Sequence, residues 1–194
     1  FRQLVETRHQ TGEPYIMFID TANRALPQPL KDKGLKINHS NLCTEIMLPT
    51  SADRTAICCL SSVNLALYDE WKDHPLFVED LMRMLDNTLQ DFIDKAPPEL
   101  WRAVNSAKNE RSVGLGAMGL HTFLQDREIV WGSDLARGYN IMLFEHLAKK
   151  SLEASYKLGA ERGEAPDMEG TGLRFSHRMA VAPNASSSIF LHIS

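Results

Sequence analysis

The sequence predicts an α/β fold, because short apolar runs alternate along the chain with long amphipathic stretches. YIMFID (15–20) and TAICCLSSVNL (55–65) are rich in apolar, β-branched or small residues, as buried strands are. Residues 76–95 and 133–158 carry apolar side chains at helical spacing. Strands separated by long helices argue for parallel pairing with both faces of the sheet covered. Residues 1–9 read as the end of a helix, and a TGEP turn leads into the strand at 15–20. Residues 21–40 hold Pro27, Pro29 and Gly34 and read as a loop. NLCTEIMLP (41–49) reads as extended up to Pro49. The clearest helix is 76–95, where Phe77, Leu81, Leu85, Leu89 and Phe92 or Ile93 form one stripe and Pro97 and Pro98 end it. Residues 101–111 read as a short helix or loop, and 114–125 as a glycine-rich turn that becomes helical. Ser133 is an N-cap for a helix through Leu158, with Gly159 at its end. Residues 161–172 read as loop and 178–182 as a short strand before PNASSS.

Composition narrows the classes. With 43% apolar and 24% charged residues, 194 residues suit one globular domain. Such a chain could bury about 70% of its unfolded surface. The net charge of −4 is spread out with no basic stripe, so no nucleic-acid groove is expected. No apolar run approaches the roughly 18 residues of a membrane span, and the polar opening FRQLVETRHQ is no signal peptide. That opening lacks an initiator Met, so the chain is expected to be part of a longer protein. Three cysteines, at 43, 58 and 59, do not make a disulfide framework and suggest a reducing cytoplasm. There is no CxxC, and the seven histidines show no ligand spacing, so no metal site is expected.

Four stretches could carry chemistry. GLGAMG (114–119) matches GxGxxG, but no full strand precedes it and Asp134 falls at a helix start, so close backbone packing is the better account. PNASSS (183–188) offers backbone N–H groups and hydroxyls that can cradle a phosphate; the plain alternative is a capped polar loop. Cys58 and Cys59 point to opposite faces if the segment is a strand, one to the core and one toward a site; the plain alternative for either is a small buried hydrophobe. In an extended NLCTE, Asn41, Cys43 and Glu45 share a face. A carboxylate beside a thiol works against a thiolate nucleophile. Hydrogen-atom chemistry at a neutral Cys43, with Glu45 moving a proton, fits better.

NLCTEI (41–46), CCLSSVNL (58–65), ERSVGLGAMGLHTFLQ (110–125), VAPNASSSI (181–189) and TGEPYIMFID (11–20) together resemble the large catalytic subunit of class I ribonucleotide reductase. Leu42 and Thr44 stand where class II enzymes usually read Pro and Gly. The resemblance implies part of a ten-stranded α/β barrel over residues 1–194, with a central finger loop near 38–50. It implies a thiyl radical on Cys43 that takes the 3′ hydrogen of a ribonucleoside diphosphate. Glu45 would accept the 3′-OH proton and Asn41 would bond the ribose hydroxyls, with Leu42 and Thr44 also lining the substrate. Cys58 would be one of two reducing thiols, the other lying upstream, and Cys59 a packing residue. Pro183, Asn184, Ala185, Ser186 and Ser187 would bind the substrate phosphates. No cofactor is expected in this chain. A metallo-radical cofactor belongs to a partner small subunit, thioredoxin or glutaredoxin is the reductant, and dNTP or ATP effectors bind outside this stretch. The remaining large-subunit segments and a large-subunit dimer are further implied partners. A cobalamin-dependent or glycyl-radical reductase, and a non-catalytic binding remnant, stand as alternatives.

Overall fold

A computed structural model describes all 194 residues. Its elements in order are α1 (Arg2–Thr11), α2 (Ile19–Ala25), α3 (Gln28–Asp32), β1 (Cys59–Asn64), α4 (Tyr68–Trp71), α5 (Phe77–Lys95), α6 (Trp101–Glu110), β2 (Val113–Met118), α7 (Leu120–Gln125), α8 (Asp134–Arg162) and α9 (Ala185–Leu191). No helix is long and apolar enough to cross a membrane.

β1 and β2 pair in parallel, from Cys59 opposite Val113 to Asn64 opposite Met118. On the other edge of β2, residues 177–180 run alongside. The N–H groups of Val113 and Leu115 donate to the carbonyls of His177 (3.1 Å) and Arg178 (2.9 Å), and Ala180 N–H donates back to Leu115 O (3.3 Å). β2 is therefore central, and every residue from Val113 to Ala117 is buried. The strand expected at 178–182 is reduced to a single parallel bridge between Leu115 and Met179.

GLGAMG is itself most of β2 rather than a turn after it. A Cβ on Gly116 would lie 2.2 Å from the Ala180 carbonyl oxygen, so a bare backbone is what lets the neighbouring stretch approach. The packing account of the motif stands, and the strand it needed was the motif.

Helix α5 covers the sheet, and α8 packs on α5. Val78, Met82, Leu85 and Leu89 recur at helical spacing on α5 and are buried against Leu143, Leu147 and Leu158 of α8 in one core with Val63, Leu65, Leu115 and Phe123. The Ser133 hydroxyl caps α8 by accepting from Ala136 N–H at 3.1 Å. The helix does not end at Gly159 but continues to Arg162, with Gly163 (φ 87°) as its stop. Gly159 serves close packing instead, since a Cβ there would lie 2.2 Å from the Gly172 carbonyl oxygen.

Two other expectations fail at the N-terminal side. Residues 15–18 form no strand, and Tyr15, Ile16 and Phe18 are exposed. An apolar run becomes a strand only where a neighbour offers ladder hydrogen bonds, and none does here. Half of the polar stretch 21–40 is helical, with Pro27 and Pro29 opening α3, where proline is tolerated. Leu26, Leu30 and Ile37 then pack on Ala165 and Met168 as a second small core.

Candidate active site

The second core anchors a loop spanning 38–50. Asn23 bonds Ile37 both ways, donating from Nδ2 to its carbonyl (2.8 Å) and accepting from its N–H (2.9 Å). Ile37 pairs with Pro49, Thr50 N–H donates to Lys36 O (3.1 Å), and Asn38 Nδ2 donates to Thr50 O (2.8 Å). The neck is thus closed on both sides.

Within the loop, 41–46 is a tight turn, not the extended segment expected. Asn41 N–H donates to Ile46 O (3.2 Å), Asn41 O accepts from Thr44 N–H (3.1 Å), and Asn41 Oδ1 accepts from Ile46 N–H (3.0 Å). Thr44 adopts φ 65°. An asparagine that bonds its own neighbouring backbone offers the chain an alternative to extension. The shared face of Asn41, Cys43 and Glu45 is therefore lost. Leu42 and Cys43 are exposed at the tip, and Glu45 turns inward. One Glu45 oxygen, Oε2, is buried without any hydrogen-bond partner, and Thr44 is half-buried beside it. A buried acceptor left unpaired in this way calls for an explanation, a bound group being the simplest.

Two clefts meet at Cys58. One, of 320 Å³, is lined by Asn41, Ile46, Leu48, Thr55, Cys58 and Leu60, among others. The second, of 210 Å³, holds Glu45, Cys58, Val113, His177, Met179 and Ala180. Cys58 precedes β1, while Cys59 begins it and packs against the main core, so the two thiols do diverge. Burial, reinforced by Cys59, Glu110 and Glu45, pushes the Cys58 thiol up to about 12. Burial also raises Cys59, partly offset by Arg111. At about pH 8 Cys58 should alkylate on the order of 10³-fold more slowly than an ordinary thiol of pKa near 8.5. Timed iodoacetamide labelling with mass spectrometry checks this, and a rate for Cys58 matching that of a free thiol would contradict it.

Pro183, Asn184, Ala185, Ser186 and Ser187 line neither cleft. Asn184, in the left-handed region (φ 53°), donates from Nδ2 to Ala182 O (2.8 Å), and α9 starts at Ala185. Ala185, Ser186 and Ser187 are exposed there, beside the end of β2 that carries Ala117. Cys58 adjoins the start of the same sheet, about 13 Å away at roughly 3.3 Å per strand residue.

The family described as "Ribonucleotide reductase, barrel domain" matches residues 1–171. The chain belongs to that family. A Frog virus 3 protein is 54% identical over 98% of this chain. The "Ribonucleoside-diphosphate reductase large subunit" of Invertebrate iridescent virus 3 is 50% identical over 98%. In three dimensions the chain is similar to the "Actinobacillus ureae class Id ribonucleotide reductase alpha subunit", with a TM-score of 0.95, 42% identity and 99% of this chain covered. The chain spans 34%, 30% and 37% of the lengths of these three proteins. The α/β expectation and the assignment to this reductase family both hold.

The barrel-domain fold also buries charged groups that the sequence reading passed over. Asp86 lies on the apolar stripe of α5 between Met82 and Leu89, which is the signal that could have found it. Glu110 and Arg111 close α6 inside a run that reads as merely charged, KNER. Burial pushes the Glu110 carboxyl up to about 7, against the pull of Arg54 (3.3 Å) and Ser106 (3.1 Å). Burial alone lowers His177 to about 4.

Proposed function

We propose that this chain forms the active-site portion of a class I ribonucleotide reductase large subunit, which converts ribonucleoside diphosphates to 2′-deoxyribonucleoside diphosphates. The observation that carries the reading is the unpaired, buried Glu45 oxygen sharing a cleft with the Cys58 thiol beneath a loop that presents Cys43. A metallocofactor of a partner small subunit would supply the radical, and Cys43 carries it only during each turnover. Cys43 takes the 3′ hydrogen of the ribose, and Glu45 takes the 3′-OH proton. The 2′-OH leaves as water. Cys58 and a second cysteine outside these residues supply two electrons and two hydrogens, becoming a disulfide, and Cys43 returns the 3′ hydrogen. The balance is one ribonucleotide and two thiols to one deoxyribonucleotide, one disulfide and water.

A thiol held neutral by burial suits Cys58 as a hydrogen donor. Asn41, in the wall of the first cleft, bonds the ribose hydroxyls, and Leu42 and Thr44 of the same turn contact the substrate from the loop. An extended nucleotide then reaches the loop 183–187 with its phosphates. Residues 38–50 act as the finger loop of a partial barrel domain over 1–194. The other large-subunit segments and a dimer complete the enzyme, thioredoxin or glutaredoxin resets the disulfide, and nucleotide effectors bind elsewhere. Glu45→Gln in the complete subunit should lower kcat by about 10²- to 10⁴-fold, the range for losing a positioned proton acceptor, with KM little changed. Steady-state assays decide it: an unaltered kcat rules Glu45 out as the base.

A further inference from the structure

Behind the second cleft runs a line of buried polar groups that the reaction above leaves idle. His177 borders the cleft together with Cys58. Its Nδ1 lies 3.0 Å from the Ser176 hydroxyl, which lies 2.8 Å from the Ser112 hydroxyl. Ser112 is 3.4 Å from Glu110 Oε2, the longest of these three contacts, and the cleft itself separates His177 from the Cys58 sulfur. Ser112, Ser176 and Glu110 are all buried. On the far side of Glu110 stands Arg54 at 3.3 Å, itself held at 2.6 Å by Asp167, which Lys33 approaches from the surface at 3.4 Å. Ser106 bonds the other Glu110 oxygen from within α6.

We propose that Glu110 is the proton source for Cys58, acting through Ser112, Ser176 and His177 when a disulfide at Cys58 is reduced by an external dithiol. This rests on the reading of Cys58 as a reducing thiol. The dithiol's thiolate attacks the sulfur of the second cysteine, the S–S bond breaks, and the electron pair stays on Cys58. His177 gives its Nε2 proton to a water in the cleft, which passes one of its own protons to that sulfur, while Nδ1 takes the proton of Ser176. Ser176 is restored from Ser112, and Ser112 from the Glu110 carboxyl. Cys58 ends as a neutral thiol, His177 as the other neutral tautomer, and Glu110 as a carboxylate facing Arg54. Water on the Arg54 side then recharges it.

The direction is favourable, since a thiolate whose thiol titrates near 12 takes a proton readily from a carboxyl that titrates near 7. His177, held neutral by burial, can pass a proton on without storing charge.

The complete enzyme, oxidised by one turnover without reductant, provides the test. Dithiothreitol is added across about pH 6 to about pH 8, samples are quenched in acid and unfolded, and free Cys58 is then quantified by alkylation of the unfolded chain and mass spectrometry, with rates normalised to the reductant's thiolate. The normalised wild-type rate should fall as pH rises through about 7, where Glu110 loses its proton. Ser176→Ala and Glu110→Gln should be slower by about tenfold or more at about pH 6, and should lose that fall, as expected when a positioned acid is cut off. Wild-type rates and pH profile in both variants overturn the relay. Ser176→Ala removes one hydroxyl and decides the matter alone if Glu110→Gln loses its fold. A turnover that leaves Cys58 as a free thiol overturns the assignment of Cys58 itself, and the relay with it. A normal disulfide with unchanged variants overturns the relay only.

Discussion

Replacing Cys43 by serine in the complete large subunit should abolish deoxyribonucleotide formation while leaving substrate binding and stability nearly intact. The expected fall in turnover is on the order of 10⁴-fold or more, the scale seen when an enzyme loses the group that carries its chemistry. A serine O–H bond is much stronger than a thiol S–H, so the hydroxyl cannot be converted to the hydrogen-abstracting radical. The change is also structurally mild. Cys43 is exposed at the tip of a turn whose hydrogen bonds join Thr44 N–H to Asn41 O and link Asn41 with Ile46, none involving the thiol. An exposed substitution of this kind costs within about 0.5 kcal/mol. Turnover assays with the small subunit present, beside equilibrium binding of a ribonucleoside diphosphate, separate the two effects. Turnover of the serine variant within about tenfold of wild type would remove Cys43 from the mechanism, while loss of binding would give it a structural role instead.

The largest stability effect is expected at Asp86. Its carboxylate accepts from Arg111 Nε (2.9 Å) and Nη2 (2.7 Å), from Arg174 Nε (3.1 Å) and from Arg162 Nη1 (2.7 Å). The side chain is 1% exposed, against 6% for Arg111 and 11% for Arg174. One anion therefore ties α5 to the end of α6, the end of α8 and the segment after it. Burial pushes Asp86 upward, but the three guanidiniums outweigh it and the net shift is downward. Asp86→Asn keeps the shape and removes the charge, leaving buried cations unpaired. Breaking such a pair costs about 3–5 kcal/mol.

Urea denaturation at neutral pH measures that loss, and a difference below about 1 kcal/mol would mean the arginines find other partners. The pH dependence has a definite sign. A carboxyl depressed in the folded state contributes stability above its unfolded value near 4, and loses it as pH falls through the folded value. The gap between wild type and Asp86→Asn should be level around neutrality and should narrow only in acid. Glu110 acts oppositely: with its carboxyl raised to about 7, the folded state holds the proton more tightly, so its contribution declines as pH climbs from about 4 toward 7.

Much of the architecture could be read without coordinates. The apolar stripe Phe77, Leu81, Leu85 and Leu89, followed by two prolines, specifies α5 because spacing and terminators are local properties, but packing turns the helix so that Val78 and Met82 are the fully buried members beside Leu85 and Leu89. Ser133 announced α8 for the same reason. The candidate residues of the site were also legible, since a thiol between an amide and a carboxylate is unusual at sequence level. The errors share one cause. YIMFID looked like a strand because apolar runs do, but a strand needs a partner. Asn41 looked extended, yet its side chain closes a turn.

The sequence by itself determined the α/β alternation, the helices with strong periodicity, and the family to which 41–46, 110–125 and 181–189 point. Only the tertiary structure decided that Cys58 stands in both clefts, that Glu45 turns an unpaired oxygen inward, and that Glu110 joins His177 through two serines. The first set rests on interactions within a few residues, which spacing encodes. The second joins residues as far apart as 45, 58, 110 and 177, whose meeting depends on how the sheet, α6 and the loop pack, and desolvation at that meeting point sets their acidities.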